Sequence, residues 1–217
     1  MENKKDYGKI RREYLGAPLD LDQLQADPVI QFQSWFEDAL NAGVIEPNAV
    51  SLATVDKTGM PDVRIVLFKG LSDHKITFFT NYNSKKAADM QAHPQAALVF
   101  FWAELARQVR VRGKVTQLSR AESDEYFQSR PRYSQIAAWA SAQSKVLADR
   151  KELEDNFAFY LKKFGEKNPV PTPEDWGGYL LDATEWEFWQ GRENRMHDRF
   201  RYTHRDNQPF LIERLNP

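Results

Sequence analysis

AVSLATV (49–55), DKTG (56–59) and PDVRIVLFK (61–69) follow one another almost without interruption, and their reading decides the fold. The first is a β-branched and apolar run that predicts a strand. The second is turn chemistry. In the third, Val63, Ile65 and Leu67 alternate as on a strand with two unlike faces. Working outward, Lys75–Thr80, Gln95–Trp102 and Gln108–Leu118 extend the series. In the last, Val109, Val111 and Gly113 face away from Arg110, Arg112 and Lys114. Upstream lies a helix: Asp27 is its N-cap, Pro28 fits the first position, and Val29, Phe32, Phe36 and Leu40 recur at helical spacing up to Gly43. Before it, residues 1–26 read as a polar arm with a short helix around Tyr7–Tyr14.

Downstream, Ser119 and Glu122 form a capping box for a helix to about Ser129. Pro131 breaks the chain before a second helix near Ser134–Ser141. A third, about Ala148–Phe164, puts Leu153, Phe157, Tyr160, Leu161 and Phe164 on one face. Three of the eleven prolines fall in 168–173, a loop. Gly178–Leu181, Trp186–Gln190, Phe200–His204 and Phe210–Arg214 then read as strands, with a hairpin turn at 206–208. Strands at both ends with helices between do not fit alternating βαβ units. They predict an α+β chain: an antiparallel barrel or sandwich with helices packed around it, with 27–217 as a single domain.

Composition narrows the function. The 217 residues carry 30 Lys+Arg against 31 Asp+Glu, a net charge of −1, so the basic excess usual in nucleic-acid binders is missing. With 41% hydrophobic and 28% charged residues the chain is an ordinary globule, and no run of about 18 apolar residues marks a membrane span. Cysteine is absent, which removes disulfides, thiolate metal sites and cysteine nucleophiles. The charged N-terminus lacks the apolar stretch of a secretory signal, and the cytoplasm is the expected compartment. Nucleotide-loop, nucleophile-elbow and zinc-helix motifs are missing, and the four histidines lack ligand spacing, so no metal is expected.

Four stretches point to anions. Arg64 and Lys69 bracket an apolar strand; either they emerge into solvent at its ends or they serve a ligand. Their odd separation sends them to opposite faces unless the strand is interrupted. Ser84 is an N-cap ahead of Lys85 and Lys86, and two lysines in a first helical turn oppose the dipole unless an anion sits there. A solvated lysine pair is the competing reading. YFQSRPRYSQ (126–135) gathers a phenol, two guanidiniums and a hydroxyl at a helix break, with Ser134 as a second N-cap. It is either a phosphate site or a helix corner coated with arginine. In EFWQGRENRMHDRF (187–200), Arg195, His197 and Arg199 alternate beyond Trp189 and suit a planar polar ligand. Two phosphate-type sites without a nucleotide motif suggest two phosphorylated small molecules.

Taken in order, RREY (11–14), RIVLFK (64–69), SRPRYSQ (129–135), the Gln143-Ser144 pair and FWQGRENRMHDRF (188–200) closely resemble the pyridoxine (pyridoxamine) 5′-phosphate oxidase family, from Arg11 to the C-terminal RLNP. The resemblance implies an α+β antiparallel split β-barrel that binds FMN at a homodimer interface. It implies oxidation of pyridoxine or pyridoxamine 5′-phosphate by O2 to pyridoxal 5′-phosphate, with release of H2O2. The FMN contacts it implies are Arg64, Ile65, Val66, Leu67, Phe68, Lys69, Phe79, Thr80, Lys85, Lys86, Gln108, Gln143, Ser144, Trp189 and Arg199. Lys69, Tyr126, Arg130 and Ser134 would surround the substrate phosphate. Arg195 and His197 would lie over the pyridine ring as the catalytic pair, and Arg11 and Tyr14 would belong to a lid. Lys85 stands where many relatives have Arg, keeping the charge but losing the bidentate fork; Phe79 stands where Tyr can occur. A split-barrel flavin reductase acting on another donor and a non-catalytic flavin or pyridoxal-phosphate module are the alternatives.

Overall fold

A computed structural model describes residues 6–9, 13–206 and 208–217. It contains five α-helices and nine strands: α1 (Pro28–Asn41), β1 (Ala49–Val55), β2 (Pro61–Leu67), β3 (Gly70–Ser72), β4 (Lys75–Asn81), α2 (Lys85–Ala92), β5 (Gln95–Trp102), β6 (Arg107–Gln117), α3 (Arg120–Ser129), α4 (Arg132–Ala140), α5 (Arg150–Phe164), β7 (Trp176–Gln190), β8 (Asp198–Arg205) and β9 (Gln208–Leu215). The strands are hydrogen-bonded in the order β2-β1-β5-β6-β7-β4-β3, with β8 joining β7 and β9 joining β8. The pairs β1–β2, β3–β4, β4–β7, β7–β8 and β8–β9 are antiparallel. This is the α+β class read from the sequence. No described helix is long and apolar enough to cross a membrane.

The chain forms two compact units. The first comprises the chain up to Pro47, Val99–Arg110 and Glu185–Pro217; the second comprises Asn48–Leu98 and Val111–Thr184. In the first unit, α1 starts as expected: the Asp27 carboxylate accepts from Val29 N at 2.8 Å and Pro28 opens the helix. Its buried stripe differs from the expected one. Pro28, Phe32, Trp35 and Ala39 go inward while Leu40 is exposed, because the larger Trp35 ring takes the inner position, edge-on to Phe188 at 5.3 Å. Phe100, Trp102, Trp186, Phe200 and Tyr202 complete this aromatic core.

The second unit holds two apolar clusters. Val50, Leu52, Ile76, Phe78, Leu98, Val111 and Leu181 line the sheet. Phe127, Ile136, Val170 and Trp176 form the other, against which Phe157, Tyr160, Leu161 and Phe164 of α5 pack as the helical spacing requires. The proline-rich loop cannot build a ladder, since three of its residues lack N–H groups. Its carbonyls are instead bound by side chains: Gln128 on Val170, Trp139 on Pro171, and Arg120 on Thr172 and Pro173. That anchoring fixes Trp176, which begins β7.

Several boundaries depart from the sequence reading. The stretch read as two strands, Gly178–Leu181 and Trp186–Gln190, is one strand, β7, paired to β4 at one end and to β8 at the other. Its middle, Asp182 to Thr184, has too little β-propensity to announce itself. Helix α4 starts at Arg132, with Pro131 rather than Ser134 at the N-cap position. In the arm ahead of α1 the described helical structure is two 3-10 turns, Tyr7–Lys9 within the expected helix and Leu21–Gln23 beyond it.

Candidate active site

A cavity of about 570 Å³ opens in the second unit, within the range of small-molecule sites. Twelve of the residues expected to bind cofactor or substrate line it. Arg64, Ile65, Val66, Leu67 and Lys69 come from β2 and the corner after it. Phe79 and Thr80 end β4, and Lys86 lies in the first turn of α2. Tyr126, Arg130, Ser134 and Gln143 come from α3, α4 and the following loop. The parity objection to Arg64 and Lys69 is resolved by where β2 stops. After Leu67 the chain changes partner: Phe68 N donates to Asn48 O at 2.8 Å, then Lys69 N donates to Thr77 O at 2.9 Å. The alternation is broken there, and both cations reach one cavity.

The two arginines of the Arg130-Pro131-Arg132 corner have separate jobs. Arg132 donates to the carbonyls of Asn168 and Gly165 and so closes the C-terminal end of α5. Arg130 lies over the Trp176 ring at 4.6 Å, and its Nη1 is buried without a hydrogen-bond partner. Burial pushes the Arg130 pKa down, with the nearby Tyr126 acting against it. Leaving such a donor unpaired costs about 1–3 kcal/mol. A stack of near-parallel rings forms the adjoining wall, Phe79 on Tyr126 at 3.8 Å and on Trp176 at 5.4 Å.

Lys86 is also buried. Its ammonium is held by neutral oxygens, Thr80 Oγ1 at 3.1 Å and Gln143 Oε1 at 2.8 Å. Burial first, and the Arg64 charge second, hold its pKa below the ordinary lysine value. The Ser84 hydroxyl accepts from Ala87 N, capping α2 as the sequence predicts. Lys85, by contrast, does not line the cavity. Its ammonium lies 3.1 Å from Asp89, with Asp62 and Asp56 at 3.8 and 4.0 Å.

Of the remaining expected residues, Tyr14, Gln108, Trp189, Arg195, His197 and Arg199 lie in the first unit and Phe68 and Ser144 in the second. Tyr14, Trp189 and His197 form an aromatic cluster, with centroids 5.4 Å (Tyr14–Trp189), 5.7 Å (Tyr14–His197) and 4.7 Å (Trp189–His197) apart. Gly191 makes room for it: a Cβ there would lie 2.8 Å from Tyr14 Cγ. The expected alternation of Arg195, His197 and Arg199 on an extended segment is not found. Glu193–Arg195 is a 3-10 turn, and Asn194 and Arg195 have φ of 56° and 62°. Two non-glycine residues in succession at positive φ store strain of about 1–3 kcal/mol each. The turn brings His197 Nδ1 to 3.0 Å from Arg192 N, which donates to it. A neutral imidazole so placed carries its proton on Nε2. Burial first, then the Arg195 charge, lower the His197 pKa.

Arg199 is bound by Glu187 through Nε and Nη2 and by the Asn216 carbonyl through Nη1; Glu187, itself buried, also holds Arg110. Gln108 is half-buried on β6, Ser144 is exposed with φ of 68°, and Phe68 is half-buried behind the corner. Arg11 lies outside the described residues. The sequence reading missed Asn81, Trp176 and Ala137 in the cavity lining, and also Thr54 and Asp89 beside it. For Asp89 a signal existed, its i,i+4 spacing from Lys85.

Residues 36–160 match the family model described as pyridoxamine 5′-phosphate oxidase, and residues 176–217 match that of the pyridoxine 5′-phosphate oxidase C-terminal dimerisation region. The chain belongs to the pyridoxine/pyridoxamine 5′-phosphate oxidase family. Its oxidase relatives include proteins from Salinibacter ruber, 48% identical over 96% of this chain and 97% of that one, and Deinococcus deserti, 50% identical over 98% and 99%. The fold is that of the family's split barrels. The crystal structure of PhzG from Burkholderia lata, in complex with tetrahydrophenazine-1-carboxylic acid, superposes with a TM-score of 0.86 at 28% identity, covering 93% of this chain and 99% of that one. A pyridoxamine 5′-phosphate oxidase-related, FMN-binding protein from Nostoc punctiforme shares the fold, with a TM-score of 0.70 at 20% identity over 86% and 97%.

Proposed function

We infer that this oxidase converts pyridoxine 5′-phosphate or pyridoxamine 5′-phosphate to pyridoxal 5′-phosphate in the making or salvage of the vitamin B6 cofactor, in the cytoplasm. O2 is consumed and H2O2 released; the amine also takes up water and yields ammonia. FMN supplies the hydride acceptor for oxidation at C4′ and the route to O2. The observation that carries the reading is Arg130, a half-buried guanidinium whose Nη1 has no hydrogen-bond partner and which lines one cavity with Lys86 and Arg64. Arg130 and Lys86, desolvated and held by no carboxylate of their own, suit phosphate groups.

Within that reading, Arg130, with Lys69, Tyr126 and Ser134, holds the substrate phosphate. Binding energy spent there, remote from C4′, orients the ring. Lys86, Thr80, Gln143 and Arg64 fit the phosphate end of FMN, and the backbone of Ile65, Val66 and Leu67 fits its planar ring. In the first unit, His197 offers an Nε2–H donor and Arg195 a cation to the pyridine ring, with Tyr14 as part of a lid. Trp189, Gln108 and Arg199 complete the FMN contacts. The working form is a homodimer with FMN at the interface. Supporting it are the matched dimerisation region and the edge strand β2, which leaves Val63, Ile65 and Leu67 64%, 62% and 40% exposed.

The test is direct. The purified protein should be yellow and should form aldehyde and H2O2 from each phosphorylated vitamer. A colourless preparation that ignores added FMN overturns the reading, as does a yellow one that leaves both vitamers untouched.

A further inference from the structure

Arg64 meets the cavity with its guanidinium already engaged on the other side. Nη1 donates to Thr54 Oγ1 at 2.6 Å and Nη2 to Asp62 Oδ2 at 2.6 Å; Asp89 Oδ2 is 3.6 Å from Nη2. Thr54 in turn donates to Asp89 Oδ2 at 2.7 Å. A hydroxyl has one proton, and here Asp89 takes it. The lone pairs of Thr54 therefore face Arg64, and the direction of the relay is fixed. Thr54 is 1% exposed and Asp89 3%, so neither group can turn to water for an alternative partner. Asp89 also needs a counter-ion, and Lys85, one helical turn before it, provides it at 3.1 Å.

We propose that Thr54 and Asp89 are positioning residues that set the Arg64 guanidinium for the FMN phosphate, with Lys85 balancing the charge of Asp89. The proposal rests on the FMN reading of the cavity. It also accounts for a lysine being adequate at a position where a bidentate fork is common, because a point charge suffices to neutralise one carboxylate. The acidic groups Asp56, Asp62 and Asp89 face this cluster from the β1–β2 turn, β2 and α2, against Arg64 and Lys85. The cluster as a whole has no positive excess. Its contribution to binding an anion is then the direction of the Arg64 N–H groups, not bulk potential.

The experiment is titration of apoprotein with FMN, followed by flavin fluorescence, for wild type, Thr54→Val, Thr54→Ser, Lys85→Met and Arg64→Met. Thr54→Val should weaken FMN binding about tenfold, and Thr54→Ser, which keeps the hydroxyl, by less than about twofold. In the Arg64→Met background Thr54→Val should add less than about twofold, a result a general packing defect would not give. Lys85→Met should cost no more than about threefold, well short of Arg64→Met. An effect of Thr54→Val that persists in full without Arg64 overturns the relay, as does Thr54→Val binding like wild type. Lys85→Met matching Arg64→Met overturns the counter-ion role. Failure of wild-type apoprotein to bind FMN would instead remove the FMN reading itself.

Discussion

The cavity of the second unit and the Gly191–Asp198 turn of the first are built on opposite principles. The cavity is made of ordinary element ends: a strand that stops at Leu67, a capped helix at Ser84, a proline-broken corner at Pro131. Its cost is electrostatic, in a buried Lys86 and an unpaired Arg130 Nη1. In the turn the cost is conformational, in two left-handed residues, Asn194 and Arg195, and a histidine locked by a backbone N–H. Unpaired charge is repaid when an anion binds and so serves ground state and transition state alike. Strain that holds a side chain in one place is useful where position counts, the role proposed for Arg195 and His197.

That contrast can be broken by kinetics. The largest effect should come from Arg195→Ala, lowering kcat by about 100-fold or more with FMN content near wild type, by flavin absorbance per chain. Loss of flavin with turnover per bound flavin retained would assign Arg195 to the cofactor instead. Arg130→Ala should raise KM by about 10–100-fold with a much smaller change in kcat, the signature of uniform binding in steady-state assays. Next is the pH dependence of FMN affinity. Bound phosphate favours the Lys86 ammonium, whose pKa in the free protein is already depressed by burial and Arg64. Affinity should therefore be full below that pKa and fall as pH rises through it, ahead of the ordinary lysine range. Lys86→Met should be weaker throughout and flat over that window, as titration across alkaline pH will show. The smallest effect concerns His197. Its imidazole should titrate below the ordinary histidine value in wild type and move upward in Arg195→Ala, as NMR can follow.

Much of this was legible in the residues. Strands β1 and β5 begin and end where their apolar runs do, and Asp27, Ser84 and Ser119 cap the helices they precede. The resemblance brought twelve separated residues to one cavity wall. What stayed hidden was decided by tertiary context. The inward turn of Trp35 depends on Phe188, far along the chain. The turn at Arg195 looks extended by alternation, since nothing in Asn194 announces two successive positive φ values. The division of labour within the Lys85-Lys86 pair depends on Asp89 and Thr54, which meet Arg64 only through the β1–β2 hairpin and α2.

The central claim is that the cations lining the cavity recognise a phosphorylated pyridine. Its most direct measurement is kcat/KM for pyridoxine 5′-phosphate against unphosphorylated pyridoxine, in wild type and in Arg130→Ala. Wild type should strongly prefer the phosphate ester and lose most of that preference without the Arg130 guanidinium. Equal use of the two substrates by wild type, or a preference untouched in the variant, would contradict it.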